Sequence, residues 1–134
     1  MAKLSQRKKP CPTCPYAKST PPGVWSPSEY KKLPSYDGET WEQNLALFQC
    51  HYSNRGKRVP TICQGWLDCH DAGQLLAIRL AMVDGRLPDD FSFEHSGTEV
   101  YGSGVEACKV GLSGCDNPSK EAQKVMSKLE KMRG

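Results

Sequence analysis

Two stretches of the chain repeat hydrophobic residues at helical spacing. Between Thr61 and Val83, the residues Ala72, Leu76, Leu80 and Val83 recur every three or four positions, with Leu75 and Met82 widening the stripe. That spacing predicts one buried helix. Thr61-Ile-Cys-Gln64 reads as its capping box and Asp84-Gly85 as its stop. Gly65 and Gly73 weaken its first half by ~1 kcal/mol each relative to Ala. Near the C-terminus, Ala122, Val125, Met126, Leu129 and Met132 form a second amphipathic stripe, which Asn117-Pro118 is expected to cap.

The rest of the pattern is shorter-ranged. Ser26-Pro-Ser-Glu29 is a capping box with Pro at the first helical position, predicting a short helix that ends near Leu33 and Pro34. Tyr36-Asp37-Gly38 follows as a turn. Leu45, Leu47, Phe48 and Cys50 predict a short strand over 45–50, and further short strands are expected over 90–94 and 99–101, within a stretch rich in Gly, Ser and acidic residues. Five prolines between Pro10 and Pro22 exclude a helix or a central strand there. Residues 53–60 read as a polar, basic loop. The fold class expected is a small α+β domain with two to three helices and a few short strands.

Composition changes this picture in one respect. Leu, Ile, Val and Phe together number only 23 of 134 residues, a thin core for one domain. A weakly charged chain of this kind needs covalent or metal help to hold long loops. Seven cysteines are present, an odd number that complete pairing would not use up. The N-terminus has basic residues but no apolar stretch behind them, so no secretory signal is expected. No apolar run is long enough to span a membrane. The expected location is cytoplasmic, where thiols stay reduced and clustered cysteines are read first as metal ligands. Three parts follow: a flexible basic arm at 1–9, a metal-stapled domain at 10–116 and an amphipathic helix at 117–134.

Cys11-Pro-Thr-Cys14 is a C-x2-C pair, whose spacing lets both sulfurs face one metal while backbone amides turn toward the thiolates. The competing reading, a thioredoxin-like redox motif, wants a strand before the pair and a helix after it, whereas a basic arm and prolines flank this one. Cys50, His51, Cys63, Cys69, His70, Cys108 and Cys115 are the candidates to complete the site. Cys50 ends the predicted strand, and Cys63 lies in the first turn of the predicted helix, where the helix dipole favours a thiolate. The set Cys11, Cys14, Cys50 and Cys63 is therefore expected. His51 is an alternative to Cys50, and burial of Cys50 and Cys63 as small apolar residues is the alternative to ligation. Four thiolates suit Zn²⁺, and they also suit a [4Fe-4S] cluster. The C-x2-C opening favours zinc.

Cys11-Pro-Thr-Cys-Pro15, Trp25, Tyr30, Leu33, Tyr36-Asp37, Phe48-Gln-Cys-His51, Cys63-Gln-Gly-Trp66 and Leu76-Ala-Ile-Arg-Leu80 resemble an uncharacterised family of small cysteine-rich metal-binding proteins of bacteria and bacteriophages. The resemblance covers about residues 10–83. It implies a metal-binding domain without an established activity, and it supports Cys50 and Cys63 over Cys108 and Cys115.

Charge is unevenly placed. Seven carboxylates stand against Arg86 and Lys109 between residues 84 and 116, so the remaining chain carries more than the whole net charge of +3. Lys120, Lys124, Lys128 and Lys131 form one strip of the last helix, and the arm adds Lys3, Arg7, Lys8 and Lys9. Such strips bind phosphates without reading sequence, so a non-enzymatic nucleic-acid-binding or regulatory module is the expected function. An ordinary solvated lysine face is the plainer alternative. The competing functions are a protein-interaction adaptor and an iron–sulfur redox-responsive regulator. A metalloenzyme is disfavoured because four cysteines leave no open coordination position. Cys69, His70, His95, Cys108 and Cys115 are candidates for a second site, and Cys69 with His51 or His70 for a catalytic pair. Nothing in the sequence supplies such a pair with an orienting group or an oxyanion hole.

Overall fold

The computed structural model describes residues 3–50 and 61–133. His51, the alternative ligand, and the loop expected over 53–60 lie outside the described residues. Strand β1 (Ser5–Gln6) pairs in parallel with β2 (Thr61–Ile62), and Gln49 adds a single antiparallel bridge to Ile62. The helices are α1 (Pro27–Lys31), α2 (Gln64–Cys69), α3 (Leu76–Val83), α4 (Gly104–Ser113) and α5 (Lys120–Arg133), with 3-10 turns at Leu33–Tyr36, Thr40–Glu42 and Ala72–Gln74. This is the small α+β domain expected, with five helices among the described residues in place of two or three.

The single helix expected over 61–83 is broken into three pieces. Thr61 and Ile62 are strand, Cys63 is the N-cap of α2, and His70 is extended (φ −126°, ψ 177°). The His70 ring turns back so that Nδ1 donates to the Trp66 carbonyl at 2.8 Å, closing the end of α2. Asp71 then accepts from the Gly73 amide and starts a separate 3-10 turn. The break resets the helical phase. Leu80 and Val83, expected in the core, are 42% and 85% exposed, while α3 buries Ala77, Ile78 and Ala81 instead.

Helix α4 follows the short strands expected over 90–94 and 99–101, in a stretch for which no helix was expected. Of those strands only one bridge forms among the described residues, between Val100 and Ala17. Ser103 caps α4 by accepting from the Glu106 amide, and the Asp37 carboxylate accepts from the amides of Gly104 and Val105 at 2.8 Å each. The helix seats directly on the N-terminal half of the chain, because Gly111 has no side chain. A Cβ there would lie 2.2 Å from the Tyr30 ring. In α5, Ser119 rather than Asn117 serves as cap, accepting from the Ala122 amide at 3.1 Å. Ala122 and Leu129 join the same core as the cysteines, with Val125 and Met126 packed against it. The side chain of Met132 lies outside the described residues.

The arm expected to be flexible over 1–9 is paired into the fold from residue 3 onward. Leu4 is buried, its amide donates to the Arg86 carbonyl, and the Gln6 amide group bridges Gln64 and Ser92. The cause is one apolar residue among basic ones, together with a glutamine that finds complementary partners. No helix among the described residues is long and apolar enough to cross a membrane.

Candidate metal centre

Cys11, Cys14, Cys50 and Cys63 come from three separate segments and are all buried, with at most 4% exposure. Consecutive turns shape the proline-rich loop: the Cys14 amide donates to the Cys11 carbonyl and the Ala17 amide to the Cys14 carbonyl, both at 3.1 Å. These turns aim the Thr13 amide at the Cys11 sulfur and the Tyr16 amide at the Cys14 sulfur, the amide-to-sulfur arrangement expected of thiolate ligands. Two backbone hydrogen bonds bring the other pair together. The Cys50 amide donates to the Thr61 carbonyl at 2.8 Å, and the Cys63 amide to the Phe48 carbonyl at 2.9 Å.

Sulfur contacts run from Cys50 to Cys11, from Cys11 to Cys14, and from Cys14 to Cys63, where the Sγ atoms are 3.6 Å apart. No disulfide joins any of the cysteines among the described residues. The thiols are arranged as a string, and among the described residues no group of three or more His, Cys, Asp or Glu side chains already stands as a coordination sphere. Gly65, which looked like a weakness in the helix, is what admits the cluster: a Cβ there would sit 2.2 Å from the Cys14 sulfur. An open cleft of about 450 Å³ between α1 and residues 44–50 has Cys50 in its wall.

The electrostatics of the thiols follow from crowding. Cys11 is raised chiefly by its bond with Cys14, partly opposed by Cys50, with burial adding. For Cys14 the bond with Cys11 lowers the pKa, yet the bond with Cys63 and burial outweigh it and push the thiol well above its ordinary value. Neutral thiols are thus favoured while no cation is near, since a thiolate here would be buried without a counter-charge.

Around the cluster lies an aromatic shell. Trp66 is fully buried, with its ring centroid 5.3 Å from Tyr36 and 6.4 Å from Phe48, and Phe48 packs edge-on to Tyr16 at 5.3 Å. The indole is thus packed among aromatic rings and sealed from water itself.

The other candidate residues are dispersed. Both His70 nitrogens are engaged, Nδ1 by the Trp66 carbonyl and Nε2 by Asp37 at 2.9 Å, so neither is left for Cys69. Burial pushes the Cys69 thiol up to about 12, with the carboxylates of Asp37 and Glu106 adding, so it stays protonated at neutral pH. His95 Nε2 contacts the His70 carbonyl at 3.0 Å. Cys108 is buried, and Cys115 donates to the carbonyls of Trp25 and Gly111. Sequence reasoning missed the role of Asp37, which joins His70 to the N-terminus of α4. Its one signal is the adjacency of Tyr36-Asp37-Gly38 to a helix end.

The basic residues divide into two groups. Lys3 pairs with Asp89 at 2.8 Å and Lys8 with Asp90 at 3.7 Å, so the arm meets the acidic segment of its own chain. Arg7 is half-buried and Lys9 exposed. Lys120, Lys124, Lys128 and Lys131 are exposed on α5 and form no ion pair among the described residues. The first and last of them are eleven positions apart, or roughly 16 Å along the helix.

No curated protein and no solved structure matches the chain. The profile of a family of unknown function, DUF6283, matches residues 6–133, a span that runs beyond the cysteine pattern at both ends, and the chain belongs to that family.

Proposed function

We propose that this chain is a non-enzymatic module in which Cys11, Cys14, Cys50 and Cys63 hold one structural Zn²⁺. One observation supports the reading most directly: the Cys14 and Cys63 sulfurs stand 3.6 Å apart, in a buried group of four. Zn–S bonds of about 2.3 Å set the edge of a tetrahedron at roughly 3.8 Å. A disulfide would need about 2.05 Å. In a [4Fe-4S] cluster each cysteine binds its own iron, which spreads the sulfurs beyond direct contact, so zinc fits this spacing better. A divalent ion would displace the thiol protons, supply the missing counter-charge and close the string of sulfurs. Elemental analysis and a visible spectrum of freshly purified protein test this. One zinc per colourless chain is expected, while a coloured iron-containing protein, or a folded one without metal, overturns it.

Metal-loaded protein should lose stability on acidification, as protons compete with the ion for the thiolates. Thermal melts of the loaded protein between about pH 5 and pH 8 check the sign. A flat profile would show that the cysteines do not bind the ion.

The lysine strip of α5 supports a second element of the proposal, a weak sequence-independent contact with nucleic-acid phosphates. Each neutralised phosphate releases a condensed counterion, so binding should fall steeply between low and physiological salt. Reversing Lys120, Lys124 and Lys128 to Glu should abolish binding and leave the metal in place, since none of the three is buried. Mobility-shift titrations at two salt concentrations measure this. Coincident curves for wild type and triple variant would reduce the strip to a solvated face and leave the adaptor reading as the better one.

A further inference from the structure

The four buried sulfurs stand in an order that allows one complete pairing between neighbours. Contacts run from Cys50 to Cys11, from Cys11 to Cys14 and from Cys14 to Cys63, with the last two Sγ atoms 3.6 Å apart. Joining neighbours along this string with no sulfur left over gives Cys11 with Cys50 and Cys14 with Cys63. A Cys11–Cys14 link would strand Cys50 and Cys63 at the two ends. Each link of the complete pairing ties the proline-rich loop to another segment. Cys11 meets the residue whose amide donates to the Thr61 carbonyl of β2, and Cys14 meets the N-cap of α2. Cys14 and Cys63 are 49 positions apart, a loop long enough for a cross-link to remove much freedom from the unfolded chain. Closing their sulfurs to the ~2.05 Å of an S–S bond asks for a movement of about 1.5 Å. Gly65 has no side chain to obstruct the Cys14 sulfur.

We propose that the cluster is a reversible redox switch, in which hydrogen peroxide converts the four ligands into Cys11–Cys50 and Cys14–Cys63 disulfides and releases the zinc. The ion belongs to the four-cysteine reading above, whereas the pairing rests on the placement of the sulfurs. Cys50 is the entry point. Buried as it is, it lies in the wall of the open cleft between α1 and residues 44–50, which a molecule little larger than water can enter. Its metal-bound thiolate attacks one peroxide oxygen, the O–O bond breaks, and the departing hydroxide takes a proton, leaving water and a sulfenic acid at Cys50. The Cys11 sulfur then displaces that oxygen, which leaves as a second water as the S–S bond forms. The remaining pair no longer holds the ion, and a second peroxide oxidises Cys14 and Cys63 in the same way. In balance, four thiolates give four electrons to two peroxides, which take up four protons and become four waters, while Zn²⁺ leaves as the free ion. The disulfides replace the ion as the staple, so the fold persists, and a dithiol reverses the exchange.

Titrating the full chain with hydrogen peroxide tests it, with zinc content measured first, released zinc read by a chromogenic chelator and disulfides mapped in unreduced tryptic digests. Cys11 and Cys14 share one tryptic peptide, and Cys50 and Cys63 lie in two others. The proposed pairing therefore joins three peptides, and fragmentation should place the second link at Cys63 rather than Cys69. Zinc should appear as the links form, circular dichroism should stay unchanged, and dithiothreitol with added zinc should restore the starting state. A Cys11–Cys14 link within one peptide, sulfinic acids in place of disulfides, zinc retained throughout, or unfolding on oxidation overturns the proposal. A chain purified without zinc overturns the metal reading before peroxide is added, and the three-peptide species, present or absent, then decides the pairing by itself.

Discussion

Replacing Cys14 or Cys63 by Ser is expected to unfold the domain and release its metal, whereas Cys108→Ser and Cys115→Ser are expected to leave both intact. Structural metal binding supplies roughly 10 kcal/mol or more to folding, as much as the whole stability of a typical domain. This chain has little to set against that loss, since its core of aliphatic residues is small. Cys14 and Cys63 are also the contact that joins the proline-rich loop to the start of α2. Cys108 packs in the core and Cys115 donates weakly to two carbonyls, so serine there should cost no more than an ordinary substitution, ~1 kcal/mol. Gly65→Ala supplies a control that leaves every sulfur in place. Its Cβ would overlap the Cys14 sulfur, so metal should be lost although all four cysteines remain. Circular dichroism and zinc content of the five variants measure these outcomes, and equal disruption by Cys108→Ser or Cys115→Ser would mean that the ligands are misassigned.

Trp66→Ala should lower stability by about 3–5 kcal/mol, the range for truncating a buried aromatic. For a domain of this size that corresponds to a fall in melting temperature of roughly 10 °C or more. The indole is fully buried between Tyr36 and Phe48. Its Nε1 has no hydrogen-bond partner among the described residues, so the contribution is packing rather than polar contact. Trp66→Phe should for that reason recover much of the loss. An unchanged melting temperature in the Ala variant would place the indole outside the stabilising core.

Much that was legible in the chain was local. Pro27 at the first helical position opened α1 as expected, although Ser26 makes no side-chain cap, and the stripe at Ala122, Val125, Met126 and Leu129 produced α5 against the core. Both depend only on periodicity and on residues within one turn of a helix end. The approach of Cys11 to Cys14 was also readable, because a C-x2-C turn brings two sulfurs together by backbone geometry alone. The exposed lysines of α5 were fixed by the same periodicity that buried its other face.

What the sequence left open depends on contacts far along the chain. Counting the stripe from Ala72 to Val83 assumed a continuous helix, but His70 turns away to meet Asp37, 33 residues earlier, and the phase of α3 is set after that break. Helix α4 is weak by propensity, with glycines at 104, 111 and 114. It forms where Asp37 caps it from 67 residues away, and its glycines let Tyr30 and the Leu33 carbonyl approach. The basic arm likewise finds its place through Leu4 and through acidic residues more than eighty positions distant. Short-range rules alone set the start of α1, the apolar stripe of α5 and the C-x2-C turn, since steric and hydrogen-bonding preferences there act within a few residues. Which face of α3 is buried, whether α4 forms and which charges are already paired depend on long-range contacts, because those outcomes compare the desolvation and pairing of groups that meet only once the chain has closed.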